Sequence, residues 1–324
     1  MKFLITGGSG YIGSRVTETL AERRGTETIM IADLKPPRLR PPKTGFRKLD
    51  VRDAHAIAEL IESEQPDVLM HFAFLVDPIN EEPEMYEVNV NGTFNVLAAA
   101  SRAGIERVIV VTATMAYGPW PDNPHPITES QPVHGHAQYV YARHAAEADR
   151  IAQLWATLHP QRQMTIVRPC TVFGPGADNH LVRMWEDQAF FPDFGTLDQP
   201  TQFLHIDDAI PAFVGLAENP HPGVFNLVPD GEVTWRECAQ IAGLEVRAVR
   251  EQSYAELAGG LWRLRQGTAA TPPTFLDFFK YPWLASNDKL KAALPDWQPR
   301  YSSRIAFEQM MQMRRVTREG ASLT

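Results

Sequence analysis

Residues 3–13 read FLITGGSGYIG, a short apolar run that stops at the glycines Gly7, Gly10 and Gly13. Phe3–Ile5 has the bounded, apolar character of a strand buried in a parallel sheet. From Ser14 to Glu22 the pattern becomes that of an amphipathic helix, with Val16 and Leu20 one turn apart. Strand, glycine turn and helix, in that order, is the context in which a glycine pattern points to dinucleotide binding. Gly7 would allow the tight turn, Gly10 the approach of a pyrophosphate, and Gly13 close packing of helix on strand. Free N–H groups and the positive end of the helix dipole would then face the phosphates. The spacing is G-x-x-G-x-x-G rather than G-x-G-x-x-G, so on the glycines alone a ligand-free loop remains the alternative.

The second apolar run, Thr28–Ala32 (TIMIA), ends at Asp33. A carboxylate there can accept hydrogen bonds from the ribose hydroxyls of an adenosine and would repel a 2′-phosphate. Asp33 therefore points to NAD over NADP, with Lys35, Arg38 and Arg40 near enough to soften the preference. A solvated strand-end carboxylate is the competing reading.

Further strand-like runs follow at Arg47–Val51, Asp67–Ala73, Arg107–Ala113 and Met164–Arg168. Helical stretches lie between them at Ala54–Glu64, Met85–Arg102 and Tyr141–Leu158, the second with Val88, Phe94, Val96 and Leu97 toward the sheet. Such alternation predicts an α/β fold, a Rossmann-like doubly wound parallel sheet with right-handed crossovers. A smaller α/β substrate-binding region is expected on its C-terminal side. Residues 1–168 would form the NAD-binding domain and 169–313 mainly the substrate region, some segments returning to the first domain. Beyond Pro169 the aromatics Trp185, Phe190, Phe191, Phe194, Trp262, Phe275, Phe278, Phe279, Tyr281 and Trp283 gather, more as core than as pocket. Residues 314–324 are polar and expected to fray.

With 324 residues and a net charge of −8, the chain has no basic stripe suited to nucleic acid. No apolar run reaches membrane-spanning length, and the first residues read as a strand rather than a signal peptide. Cys170 and Cys238 lie far apart, with no metal-ligand spacing, so no metal site is expected and a reducing cytoplasm is the default.

Together these stretches resemble the extended short-chain dehydrogenases/reductases, which include NAD-dependent nucleotide-sugar epimerases and dehydratases. The resemblance rests on TGGSGYIG (6–13), Asp33, LDVRD (49–53), HFAF (71–74), NVNGT (89–93), TATMAYG (112–118), the tyrosines of 139–147, RPCTVFGPG (168–176), QFLHIDDA (202–209) and SNDKLKAALPDWQP (286–299). It implies an NAD site built from Gly7, Gly10, Tyr11, Ile12, Gly13, Asp33, Leu34, Asp50, Val51, Phe72, Ala73, Phe74, Asn89, Thr112, Tyr141 and Pro169. Asp50 and Val51 would hold the adenine, and Phe72–Phe74 would border the pyrophosphate and ribose. Asn89 would play a supporting role at the sheet edge. A homodimer through two helices of the first domain is also implied.

The same resemblance implies a catalytic tyrosine, a lysine four residues later, and a Ser or Thr at the end of the fifth strand. A phenol titrating near ~10 needs such help to exchange protons at neutral pH. Here Tyr141 has Ala145 four residues on, while Tyr139 has Arg143. Tyr141 is favoured, since it sets Ile151 and Leu154 on the apolar face and keeps Asp149 off a position expected to be apolar. Arg143 would keep the charge without matching lysine in shape. The hydroxyl position falls on Ala113, flanked by Thr112 and Thr114, which a strand would point the other way.

A diphosphate-clamping arginine is expected where Thr201 stands, and Arg263 and Arg265 qualify only by composition. Thr171 replaces an expected Asn; His205, Asp207 and Asp208 match a mostly structural region. His134 and His136 read as loop histidines, with proton transfer the minority role. The leading expectation is an NAD-dependent oxidoreductase or epimerase acting on a small-molecule alcohol or ketone. An NAD-binding sensor with a degraded triad and an enzyme for a less charged, more apolar substrate are the alternatives.

Overall fold

Strand β1 (Lys2–Thr6) lies inside a seven-stranded parallel sheet and shows why the chain folds as layers. Its Phe3 and Ile5 face one hydrophobic core while Leu4 faces the other, because successive strand residues point to opposite faces. Each such buried side chain contributes about 1.5–3 kcal/mol relative to exposure. The structure, a computed structural model, describes residues 1–77, 82–187, 190–264 and 273–321, with only the backbone at 186–187, 261–264, 273 and 314–321. Trp262, Arg263 and Arg265 therefore fall outside the described side chains.

The other strands are β2 (Thr28–Asp33), β3 (Thr44–Lys48), β4 (Val68–His71), β5 (Arg107–Val111) and β6 (Gln163–Pro169). The seventh strand, Gly223–Leu227, comes from beyond residue 168 and pairs with β6. The order across the sheet is the seventh strand, β6, β5, β4, β1, β2, β3. Helices α1 (Tyr11–Glu22), α2 (Ala54–Glu64), α3 (Glu82–Tyr86), α4 (Gly92–Arg102) and α5 (Val140–Leu158) alternate with the strands.

Several boundaries differ from expectation. β3 sits three residues earlier than Arg47–Val51, where the register to β2 pairs Asp33 with Lys48. The long helix is interrupted: a π-helical turn at Glu87–Asn91 separates α3 from α4. Phe94 on α4 and Leu154 on α5 are each 58% exposed, so both point away from the sheet, contrary to the faces assigned them. Val96, Leu97, Ala152 and Trp155 cover it instead. The last helix runs Ser303–Ala321, through most of the stretch expected to fray.

Past β6 the chain adds α6 (His180–Asp187) and short strand pairs, while α7 (Ile206–Glu218) packs back on α1 in the helical layer of the sheet, its Phe213 against Phe72. Trp185, Phe191, Phe203, Trp235, Phe275, Phe278 and Phe279 pack in one aromatic core, with Trp185 stacked on Phe191 at 5.1 Å. These rings are core, as their composition suggested.

Candidate active site

The glycine turn joins β1 to α1, and two of its glycines have no room for a side chain. Gly7 has φ +71°, and a Cβ there would lie 2.5 Å from the Ala73 nitrogen. At Gly13 a Cβ would lie 2.3 Å from the Gly7 carbonyl oxygen. The turn thus lets the loop after β4 and the first turn of α1 approach closely, leaving the α1 N-terminus open to an anion.

A cavity of about 380 Å³ opens beside this turn. Gly7, Gly10, Tyr11, Ile12 and Gly13 form one wall, Phe72 and Phe74 a second, and Thr112, Ala113, Tyr141 and Pro169 a third. Along the carboxyl edge, Asp33 accepts from the Ser9 nitrogen at 3.0 Å and from the Lys35 nitrogen at 3.3 Å. Leu34 beside it is 50% exposed. Asp50 is held by Arg52, whose Nη2 donates at 2.6 Å, and this hydrogen bond outweighs burial to lower the Asp50 pKa. Val51 is buried. The π-helical turn aims Asn89 back at the loop after β4, where it exchanges hydrogen bonds with Leu75 at 2.6 and 3.0 Å. Asn89 therefore shapes the cavity from behind rather than lining it.

The expected catalytic positions separate. Tyr141 lines the cavity, edge-on to Phe74 at 5.6 Å, and burial pushes its hydroxyl pKa up. Tyr139 caps α5 and is buried against Phe275 and Phe278 in the aromatic core. Its hydroxyl meets His180 Nε2 at 2.9 Å. Arg143 turns to Glu82 and to the Ala137 carbonyl, so it does not act as a lysine substitute beside either tyrosine hydroxyl. Ala145 is buried within the core.

The flanking threonines do not replace the missing hydroxyl. Thr112 borders the cavity, but its Oγ1 donates to Asp149 at 3.0 Å. Thr114 is buried in the following 3-10 turn, Thr114–Tyr117, away from the cavity lining, and its hydroxyl has no partner among the described residues. Asp149 itself is 0% exposed and paired in two hydrogen bonds of 2.7 Å with Arg168, which is 1% exposed. Burial alone would lower the Arg168 pKa, but the bonds and charge of Asp149 outweigh it and the net shift is upward. Arg168 also donates to the Tyr117 hydroxyl at 2.6 Å, which in turn donates to Asn226 at 2.8 Å.

His136 accepts from the Tyr139 nitrogen and meets Asp277 at 3.0 Å, a structural use at the start of α5; His134 is exposed. Thr201 is buried, and Thr171 lines the cavity. His205 caps α7, and Asp208 accepts from the nitrogens of Arg300 and Tyr301. Sequence reasoning missed Asp77 and His180, which line the cavity from the loop after β4 and from α6. Nothing in their local sequence marks them, since they lie 103 residues apart.

A family model for the NAD dependent epimerase/dehydratase family matches residues 3–227. An uncharacterized protein of Sinorhizobium fredii is 27% identical over 241 residues, covering 74% of this chain and 59% of that protein. The UDP-glucose 4-epimerase of Thermotoga maritima, solved with UDP-glucose, matches with a TM-score of 0.72 at 19% identity, covering 98% of this chain and 99% of that one. The dTDP-glucose 4,6-dehydratase of Bacillus anthracis, solved with NAD, matches with a TM-score of 0.72 at 19% identity, over 98% of each chain. At these identities the two structures share its fold. Because the family model runs from β1 through the seventh strand, the chain belongs to the NAD dependent epimerase/dehydratase family, an enzyme family with NAD as its cofactor.

Proposed function

We propose that this enzyme moves hydride between NAD and a secondary alcohol or ketone held at Tyr141. The observation that carries the reading is the single cavity that runs from the Gly7–Gly13 turn past Thr112 and Ala113 to Tyr141. The residues present fit the dinucleotide. Gly7 and Gly13 would leave backbone free for a pyrophosphate, Asp33 would accept from ribose hydroxyls, and Leu34, Asp50 and Val51 would border the adenine. Phe72 and Phe74 would border the pyrophosphate and ribose on the loop after β4 that Asn89 holds, and Pro169 lines the same cavity from β6. Bound NAD supplies a hydride acceptor or donor at its nicotinamide end. Tyr141, kept protonated by burial, donates a hydrogen bond to the substrate oxygen and orients it.

The relatives act on nucleotide sugars by name, which makes a nucleotide sugar the first substrate to try. A less charged substrate is supported by the cavity itself. Among its described lining residues stand the carboxylates Asp77 and Asp178 and the imidazole His180, without Lys or Arg. The unpaired buried thiols Cys170 and Cys238 support a reducing, cytoplasmic setting. Exposed Phe94, Leu154 and Leu158 on α4 and α5 support a homodimer through those helices.

The test is stopped-flow reduction of bound NAD with nucleotide sugars and plain secondary alcohols, beside thermal-shift measurement of NAD binding. Hydride transfer to at least one class, weakened by Tyr141→Phe, is expected. NAD binding with no transfer from either class would replace this reading with that of a sensor whose triad has decayed at Ala113 and Ala145.

A further inference from the structure

Where the first turn of α6 meets the cavity wall, donors converge on one carboxylate, that of Asp77. The His180 backbone N–H donates to Asp77 Oδ1 at 2.8 Å, and Arg183 Nη2 donates to Oδ2 at 2.5 Å. The Tyr139 hydroxyl, kept protonated by burial, donates to His180 Nε2 at 2.9 Å, which leaves the ring proton on Nδ1. That nitrogen belongs to a side chain only 2% exposed and has no hydrogen-bond partner, yet it lies 3.4 Å from the same Oδ1. A helix N-terminal N–H, a guanidinium and a buried ring N–H together make a donor set suited to phosphate oxygens. Here the chain's own carboxylate sits in it. Asp77 also lines the cavity, with its side chain 46% exposed. Burial would raise its pKa, but the hydrogen bonds from His180 and Arg183 outweigh that and hold the carboxyl well below the usual range. The seat is therefore filled by a full negative charge at neutral pH.

We propose that Asp77 sets substrate choice, by filling an anion seat on the cavity wall and so turning away substrates that bring a phosphate there. The class that remains is an uncharged secondary alcohol or ketone, an inference that rests on the hydride-transfer reading above. A phosphate arriving at the seat meets a fixed like charge and donors already engaged, and displacing Asp77 breaks its contacts to His180 and Arg183. A neutral substrate meets neither obstacle. Asp178 adds a second carboxylate to the wall and accepts from Arg183 Nη1 at 2.9 Å. Removing the Asp77 carboxylate leaves Arg183 tethered by Asp178 and the His180 ring tethered by Tyr139, so the seat empties without losing its donors.

The experiment removes the occupant and reads anion binding beside substrate choice. Calorimetry titrates UDP into NAD-saturated full-length wild type, Asp77→Ala, Asp77→Asn and the Asp77→Ala/Arg183→Gln double variant. Saturation with NAD keeps the UDP diphosphate away from the Gly7–Gly13 turn. UDP should bind Asp77→Ala about tenfold or more tighter than wild type, and Arg183→Gln should abolish the gain. Asp77→Asn keeps an acceptor and loses the charge, so its affinity should lie between. The kcat/KM for a nucleotide sugar relative to a neutral secondary alcohol should rise about tenfold or more in Asp77→Ala. NAD affinity within about threefold of wild type confirms that each variant is folded. Wild type that binds UDP as tightly as Asp77→Ala, or a gain that survives Arg183→Gln, overturns the proposal. Should Asp77→Ala fail to fold, Asp77→Asn decides, and a UDP affinity equal to wild type overturns it. Wild type that prefers the nucleotide sugar overturns it while leaving hydride transfer standing. A wild type that transfers no hydride to either class overturns the hydride reading and the substrate class, while the UDP titration still decides the seat.

Discussion

Replacing Asp149 tests the buried network behind the cavity. Asp149→Ala removes the acceptor for Arg168 Nε and Nη2, both at 2.7 Å, and for the Thr112 hydroxyl at 3.0 Å. The guanidinium is then left with the Tyr117 hydroxyl in a place with 1% exposure. Breaking a buried pair from one side costs about 3–5 kcal/mol, because the surviving charge keeps its desolvation penalty and loses its compensation. The lost hydrogen bond from Thr112 to the carboxylate adds about 1.5 kcal/mol, and the retained Tyr117 contact to the guanidinium offsets a similar amount. The expected loss is therefore about 4 kcal/mol, or roughly 10 °C in the thermal midpoint at this chain length. Chemical denaturation of wild type, Asp149→Ala, Asp149→Leu, Arg168→Met and the Asp149→Leu/Arg168→Met double variant reads it. The double variant should be more stable than Asp149→Leu alone, since no charge remains to be desolvated. A loss below about 1 kcal/mol for Asp149→Ala, or additive losses in the cycle, would refute the argument.

Gly13→Ala should weaken NAD binding tenfold or more by calorimetry and destabilise the fold by about 1–3 kcal/mol, since the added methyl meets the Gly7 carbonyl. Asp33→Arg should invert the preference between NAD and NADP, read as a ratio of dissociation constants; an unchanged ratio would remove Asp33 from the ribose site. His71, bonded to Thr6 and Thr93, has its pKa lowered from 6.5 to about 4 by burial. The unfolded chain binds that proton first, so stability present above pH 6.5 is lost as pH falls toward 4, by up to about 3 kcal/mol. An NMR titration in which the His71 ring protonates above pH 6 would contradict this.

The α/β layering was legible because it is local. A parallel strand buried on both faces reads as an apolar run, a helix over it as a 3.6-residue stripe, and a turn without side-chain room as glycine. TIMIA ending at Asp33 and the exact span of α2 follow from that logic. The misreadings at Phe94 and Leu154 share one cause. An apolar residue on a helix can face the sheet or the outside, and periodicity alone does not say which.

By itself, then, the sequence determined the order of strands and helices, the glycine turn, the acid after β2 and the absence of a lysine after Tyr141, all matters of near neighbours along the chain. Tertiary structure alone decided which tyrosine meets the cavity, because Phe275 and Phe278 cover Tyr139 while Tyr141 lines the wall. It also committed Thr112 to Asp149, turned Arg143 toward Glu82, and brought Asp77 to His180 across 103 residues. Those outcomes depend on which groups share a buried volume, where an unpaired charge or hydroxyl is costly. That pairing is settled only when distant segments pack.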